Sequence, residues 1–231
     1  MSAPRFDAVI FDAGGVLVLP DPLVLGPLLA YYGGDGSVEA NARAHYAGMK
    51  AKADADASET DWGVYDRAYV EAVGVDAHEI AEAAMVLGRT RFHGTWRYVI
   101  DSSRVALQRL AGVGIPMGVV SNASGQIEAM LARSVAQVGP GEHVEMRVIV
   151  DSHVVGVAKP DPRIFDFALP AFEEFDRSRI AYVGDSVTMD IASASTAGLH
   201  PILLDPYDDH LGADFERIGS LHDLADELDG A

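Results

Sequence analysis

The sequence predicts an α/β fold: a doubly wound parallel sheet with an all-helical insertion near its start. Three observations carry this reading. Short apolar, β-branched runs recur along the 231 residues, each closed by polar or turn-forming residues. Stretches with helical spacing alternate with those runs, as strand and helix do in a crossover sheet. The alternation is interrupted once, from Pro20 to about Tyr98, where the chain is rich in Ala, Tyr, Glu and Asp and offers helices without strands.

Taken in order, Ala8-Val9-Ile10-Phe11 reads as a buried parallel strand. Asp12 follows at its carboxyl end, where open α/β sheets hold their ligands. In the insertion, Tyr65, Tyr69 and Val73 fit one helix face and Ile80, Ala84 and Leu87 another. Gly33-Gly34-Asp35-Gly36 and Gly74-Val75-Asp76 break helices, and Ala51 to Asp56 reads as a helix end or loop. The alternation then resumes with a helix over Ser103 to Leu110, a strand at Met117 to Val120, a helix over Gly125 to Arg133 and a strand at Val148 to Val150. It continues with a helix over Pro162 to Leu169, a strand at Ile180 to Val183, a helix over Asp190 to Ala197 and a strand at Pro201 to Leu204. The polar run His200, Tyr207, Asp208, Asp209, His210 fits a surface loop. The expected division is a Rossmann-like core over residues 1–19 and 98–231, with a helical-bundle cap over 20–97.

Composition excludes several function classes. A formal net charge of −18 repels nucleic acid and anionic membrane surfaces, so neither is expected as a partner. The absence of cysteine rules out a disulfide framework, thiolate catalysis and cysteine-ligated zinc. Met1-Ser2-Ala3-Pro4-Arg5 lacks a signal-peptide pattern, and the first apolar run breaks at Asp12, which predicts a cytoplasmic protein. Apolar faces on the cap are compatible with a homodimer or a monomer.

Four polar positions fall just after predicted strands: Asp12, Ser121-Asn122, Lys159 and Asp185. They are expected to converge on one crevice. Two carboxylates brought together by a sheet suit a hard divalent cation, and magnesium takes one or two protein carboxylates plus water and substrate phosphate. Lys159, one of only three lysines with Lys50 and Lys52, can neutralise phosphate charge. Asp12 is an in-line nucleophile, and Ser121 with backbone N–H groups donates hydrogen bonds.

Four segments carry a family resemblance: Phe11-Asp12-Ala13-Gly14-Gly15-Val16-Leu17, Val119-Val120-Ser121-Asn122-Ala123, Lys159-Pro160-Asp161-Pro162-Arg163-Ile164-Phe165 and Val183-Gly184-Asp185-Ser186-Val187-Thr188-Met189-Asp190-Ile191. In that order they resemble the four motifs of the haloacid dehalogenase superfamily of hydrolases, and an insertion straight after the first motif is similar to that superfamily's helical cap class. The resemblance implies that Asp12 is the nucleophile and that Ser121, Asn122, Gly15 and Lys159 grip the transferring group. It also implies that Asp12, the carbonyl of Gly14 and Asp185 bind Mg2+, with Asp190 as a supporting carboxylate. A magnesium-dependent phosphatase of a small phosphorylated metabolite, working through an aspartyl-phosphate, is the expected function.

The departure is at Gly14, where phosphatases of the superfamily usually carry the aspartate that protonates the leaving alcohol and then activates water. Losing a positioned acid/base costs about 10²–10⁴ in rate. The superfamily's non-phosphatase branches vary here too, so a haloacid hydrolase, a phosphonate hydrolase using Lys50 or Lys52, and a non-catalytic binding protein stay open. His45, His78 and His93 are candidate replacement proton donors. Arg43, Tyr46, Trp62 and Arg97 are candidate substrate-facing cap residues.

Overall fold

Strand β1 (Ala8–Phe11) lies inside a six-stranded parallel sheet of order β10-β9-β8-β1-β4-β7 in the computed structural model, which describes residues 4–230. The first three residues of the leader reading, Met1 to Ala3, fall outside the described residues. After β1 come β2 (Val18–Pro20), α1 (Pro22–Ala30), α2 (Val38–Asp54), α3 (Gly63–Ala72), α4 (Ile80–Thr90), β3 (Trp96–Val99) and α5 (Asp101–Val113). The chain continues through β4 (Met117–Ser121), α6 (Ile127–Leu131), β5 (Ala136–Val138), β6 (Val144–Met146), β7 (Ile149–Asp151) and α7 (Ser152–Val155). It closes with β8 (Ile180–Gly184), α8 (Ala192–Thr196), β9 (His200–Leu204), β10 (Glu216–Ile218) and α9 (Leu221–Asp229).

The pleat of β1 divides the core. Val9 and Phe11 face a cluster completed by Leu107 and Leu110 of α5 and Leu221, Leu224 and Leu228 of α9. Ala8 and Ile10 face the opposite cluster, with Ile164, Phe165 and Phe172. Both faces of every central strand are thereby covered, which is why these strands read as unbroken apolar runs. Helices α1 to α4 lie between β2 and β3, which pair as a short antiparallel ribbon, and they bury an apolar cluster of their own around Leu25, Tyr65, Tyr69 and Leu87. Asp21 and Ser37 cap α1 and α2 through their side-chain oxygens.

Several elements differ from the sequence reading. Pro162 to Leu169 forms no α-helix; it is a tighter 3-10 stretch, Pro162–Phe167, followed by another at Leu169–Phe172. Pro170 has no N–H to give to a preceding turn, so a longer α-helix cannot close through it. The helix expected over Asp190 to Ala197 starts earlier, as a wide π turn at Val187–Ile191 capped by Ser186, before α8. The helix over Gly125 to Arg133 shortens to α6, because Gly125 takes φ 89°. Strands β2, β3, β5, β6 and β10 carry only three or four residues each, too few to show periodicity. Among the described residues no helix is long and apolar enough to cross a membrane.

Leu107, fully buried between α5 and the sheet, tests this packing. Leu107→Ala is expected to lower unfolding free energy by about 2–5 kcal/mol in urea denaturation. Val154→Ala, at an exposed position of α7, is expected to stay within about 0.5 kcal/mol.

Candidate active site

Parallel register places the site. Phe11 lies beside Val119 on one side and Val183 on the other, so Asp12, Ser121 and Asp185 emerge together at the carboxyl edge of β1, β4 and β8. The N–H of Asp12 donates to the carbonyl of Val183 at 2.8 Å, which locks this alignment. Asp12 Oδ1 accepts the N–H of Ala13 at 2.7 Å, and Ser121 lines the same cavity beside this carboxylate.

Lys159 arrives from the segment before Pro160 and is wholly buried. Its Nζ lies 3.1 Å from Asp12 Oδ2 and donates to Asp190 Oδ1 at 2.6 Å and to the Tyr182 hydroxyl at 2.8 Å. Asn122 clips the backbone behind it: its Oδ1 accepts the N–H of Lys159 at 2.8 Å and its Nδ2 donates to the Lys159 carbonyl at 2.9 Å. Asp190, also fully buried, accepts the N–H of Ser186 at 3.0 Å on its other oxygen. The wide turn at Val187–Ile191 swings that carboxylate back under the sheet edge.

Carboxylates outnumber the cation here. Oxygens of Asp12, Asp185 and Asp190 lie within 4.8 Å of one another, and among the described residues that set is the one able to hold a metal ion. Burial pushes the Asp12 carboxyl up to about 7; Lys159 opposes the shift, and Asp190 and Asp185 add to it. Burial also raises Asp185, against the pull of His45. Burial works against the charge of Lys159, but Asp12 and Asp190 outweigh it and hold the amine above its ordinary range. Hard oxygen donors with uncompensated negative charge fit a divalent cation.

The first motif departs from an acid/base site in a specific way. A Cβ on Gly14 would sit 3.1 Å from Cζ3 of Trp96 and 3.3 Å from Cε3, so the indole of β3 lies against this residue. Gly15 has φ 68°, and a Cβ there would come within 1.9 Å of Asp185 Oδ2. Its N–H donates to the Val18 carbonyl at 2.8 Å and its carbonyl accepts the Tyr46 hydroxyl at 2.7 Å. The amide expected to grip phosphate is therefore engaged within the loop, and glycine is required there by close approach.

A cavity of about 280 Å³ opens over this edge. The core supplies Asp12, Gly14, Ser121, Asn122, Lys159 and Asp185 to its lining, and the helical insert supplies Met49, Glu59, Trp62 and Arg91. Of the four anticipated substrate-facing residues only Trp62 lines it. Arg43 pairs with Asp209 through two 2.8 Å bonds, Tyr46 is held by Gly15, and Arg97 binds Asp21 at 2.7 Å. The 205–210 loop, expected as plain surface, thus braces the insert. His45 Nε2 is bonded to Asp185 at 2.8 Å and its Nδ1 to the Tyr65 hydroxyl at 2.9 Å, while His78 is exposed beside Glu79. The side chain of His93 lies outside the described residues. Lys50 pairs with Asp54, and Lys52 is buried with its Nζ 4.0 Å from the Trp62 ring centre.

Glu59, Trp96 and Tyr182 are site residues that sequence reasoning missed. Glu59 sits in an irregular polar run, Ser58-Glu59-Thr60-Asp61, and Trp96 in a four-residue strand, so neither carries a periodic signal. Tyr182 reads as one more apolar strand residue.

The haloacid dehalogenase-like hydrolase family matches residues 6–198, and the chain belongs to that family. It is 35% identical over 83 residues to pyrimidine 5'-nucleotidase YjjG of Escherichia coli, covering 36% of this chain and 35% of that protein. The match therefore spans about a third of that relative's length. Its fold is similar to a HAD phosphatase from Thermococcus onnurineus (TM-score 0.58, 20% identity, covering 97% of this chain and 98% of the other). It is similar also to a 2-haloacid dehalogenase from Pseudomonas syringae pv. Tomato DC3000 (TM-score 0.56, 22% identity, 97% and 99%).

Two outcomes follow from the geometry. Between 3.8, its ordinary value, and about 7 the Asp12 carboxyl keeps its proton in the folded protein and loses it in the unfolded chain. The folded state then binds more protons, so the metal-free protein is expected to lose stability as pH rises through that window. The rise in melting temperature on adding a divalent cation should grow across the same range; an equal rise at both ends would place the ion elsewhere. Gly14→Asp is expected to displace the Trp96 indole, costing about 1–3 kcal/mol and shifting tryptophan fluorescence, with partial recovery in Gly14→Asp/Trp96→Ala.

Proposed function

We propose that this haloacid dehalogenase-like hydrolase is a magnesium-dependent phosphatase of a small phosphorylated metabolite, working through an aspartyl-phosphate. The observation that carries the reading is the buried Asp12 carboxylate with Lys159 3.1 Å from its oxygen, inside a set of oxygen donors that outnumber their cations. An alkyl halide presents no phosphate charge for such a set to neutralise.

Asp12 attacks phosphorus with the carboxylate held by the Ala13 N–H and Lys159. An ammonium has three N–H bonds. Lys159 commits two of them to Asp190 and Tyr182 and aims its remaining charge at Asp12, where a transferring phosphoryl group must sit. Ser121 is placed to donate to a phosphoryl oxygen, and Asn122 keeps Lys159 in place through its backbone. Asp12, the Gly14 carbonyl and Asp185 would hold Mg2+, which when bound offsets phosphate charge. Asp190 supports Lys159 from behind.

The helical insert acts in this reading as a cap over the cavity, excluding water and selecting the substrate through Met49, Trp62 and Arg91. The relative named as a pyrimidine nucleotidase supports a phosphate ester as substrate. A phosphonate hydrolase draws less support. Lys52 Nζ donates to the Glu59 backbone carbonyl at 3.2 Å and lies over Trp62, while Lys50 is spent on Asp54. The strong negative charge favours a small-molecule partner over nucleic acid or a membrane surface, in a cytoplasmic monomer or homodimer.

Phosphate release from a panel of metabolite esters, with magnesium and with a chelator, tests this reading. Turnover is expected only with the metal, and Asp12→Asn is expected to lower it by about 10³-fold or more. Halide release from a haloacid, with no phosphate release from any ester, would overturn it.

A further inference from the structure

Gly14 leaves a phosphatase without its usual proton-transfer group, and the Trp96 indole stands against that residue. A replacement must be ionisable and must face the cavity. Among the described residues that line it, the ionisable side chains are Asp12, Asp185, Asp190, Lys159, Arg91 and Glu59. Asp12 is the nucleophile, and Asp185 is bonded to His45. Asp190 and Lys159 are joined to each other and to Tyr182. Arg91 grips both oxygens of Asp66 at 2.8 and 2.9 Å and lies 4.2 Å from the Trp62 ring centre. Among these carboxylates Glu59 alone has no Lys, Arg or His nitrogen within ion-pair distance.

We propose that Glu59, supplied by the helical insert, protonates the leaving oxygen and then takes the proton from the water that hydrolyses the aspartyl-phosphate. The inference rests on the phosphatase reading. Glu59 follows α2 on a braced loop: the Lys52 ammonium donates to its carbonyl at 3.2 Å, and the N–H of Ala57 donates to the Lys52 carbonyl at 2.9 Å. Trp62, three residues on, is held between Lys52 and Arg91 at 4.0 and 4.2 Å. Glu59 lines the same cavity as Asn122, which is next in sequence to Ser121 and clipped to Lys159, so the insert's acid faces the space that the phosphate-holding residues border.

The environment suits a proton carrier. Burial holds the Glu59 carboxyl above its ordinary range. Asn122, Lys159 and Lys52 oppose that shift, and the charge of Asp190 adds to it. Such a carboxyl is protonated more often near neutrality than an exposed one, as a general acid must be. Partial exposure lets it meet substrate as the cavity fills.

The bookkeeping of atoms closes. Asp12 Oδ forms a bond to phosphorus as the ester P–O bond breaks, and the leaving oxygen takes the electron pair and the Glu59 proton. Water then attacks phosphorus, gives a proton to the Glu59 carboxylate, and the Asp12 O–P bond breaks to release phosphate.

The test uses the full chain with magnesium, comparing wild type with Glu59→Gln and Glu59→Asp on an alkyl phosphate and on p-nitrophenyl phosphate. Glu59→Gln is expected to lower kcat on the alkyl ester by about 10²–10⁴-fold. The aryl leaving group needs no acid, so the same variant should release about one equivalent of nitrophenolate in a burst and then stall for want of a base. Glu59→Asp is expected to recover part of the alkyl turnover and the alkaline limb of the pH profile that Glu59→Gln removes. Unchanged turnover in a folded Glu59→Gln overturns the role of Glu59 and leaves the phosphatase reading standing. An equal loss on both esters without a burst also overturns it, showing a residue that only shapes the pocket. No phosphate release by wild type sinks both proposals together.

Discussion

The site depends on one buried ion pair, Lys159 with Asp190. Their 2.6 Å contact is sealed from solvent on both sides, and the Tyr182 hydroxyl touches both partners, at 2.8 Å from the amine and 3.0 Å from the carboxylate. A buried charge is tolerated only when paired and hydrogen-bonded, and removing one partner of such a pair costs about 3–5 kcal/mol. This constraint ties together three distant parts of the chain. The segment before Pro160 brings the lysine, β8 brings Tyr182, and the wide turn after it brings Asp190. Asp12 is then set 3.1 Å from an already satisfied cation, whose charge steadies its carboxylate.

The helical insert reaches the motif loops directly. His45 reaches Asp185, Tyr46 holds the Gly15 carbonyl, and Trp96 lies on Gly14, so the first and fourth motifs are shaped by residues from or next to the insertion. The two glycines become intelligible in that light. Gly15 must lack a side chain because Asp185 occupies the space, and at Gly14 a side chain would crowd the indole. Glycine at position 14 thus belongs to a packing arrangement that sets the Trp96 indole against the loop after Asp12.

Much of the core was legible in the linear sequence. The strand at Ala8 to Phe11, buried on both faces, is unbroken in its apolar character, and Asp12 ends it with a carboxylate. The same logic placed Ser121 and Asp185 at strand ends. Where reading failed, the signal was absent or local rules lost to geometry. The helix expected over Pro162 to Leu169 tightened into 3-10 stretches that break at Ala168, and strands of three residues such as β10 left no period to detect. Gly15 looked like a phosphate-facing amide because its N–H bond to Val18 depends on a turn that spacing does not reveal.

By itself the sequence determined the α/β alternation, the helical interruption and the strand-end positions of Asp12, Ser121 and Asp185, since burial periodicity and residue chemistry are local properties of a chain. Tertiary structure alone decided what those residues touch. That His45 meets Asp185 across 140 positions, that Arg43 braces on Asp209 instead of facing substrate, and that Glu59 shares a cavity with Asp12 are all consequences of how the insert packs on the sheet edge. Such contacts bring together residues with no sequence relation, so no pattern along the chain records them.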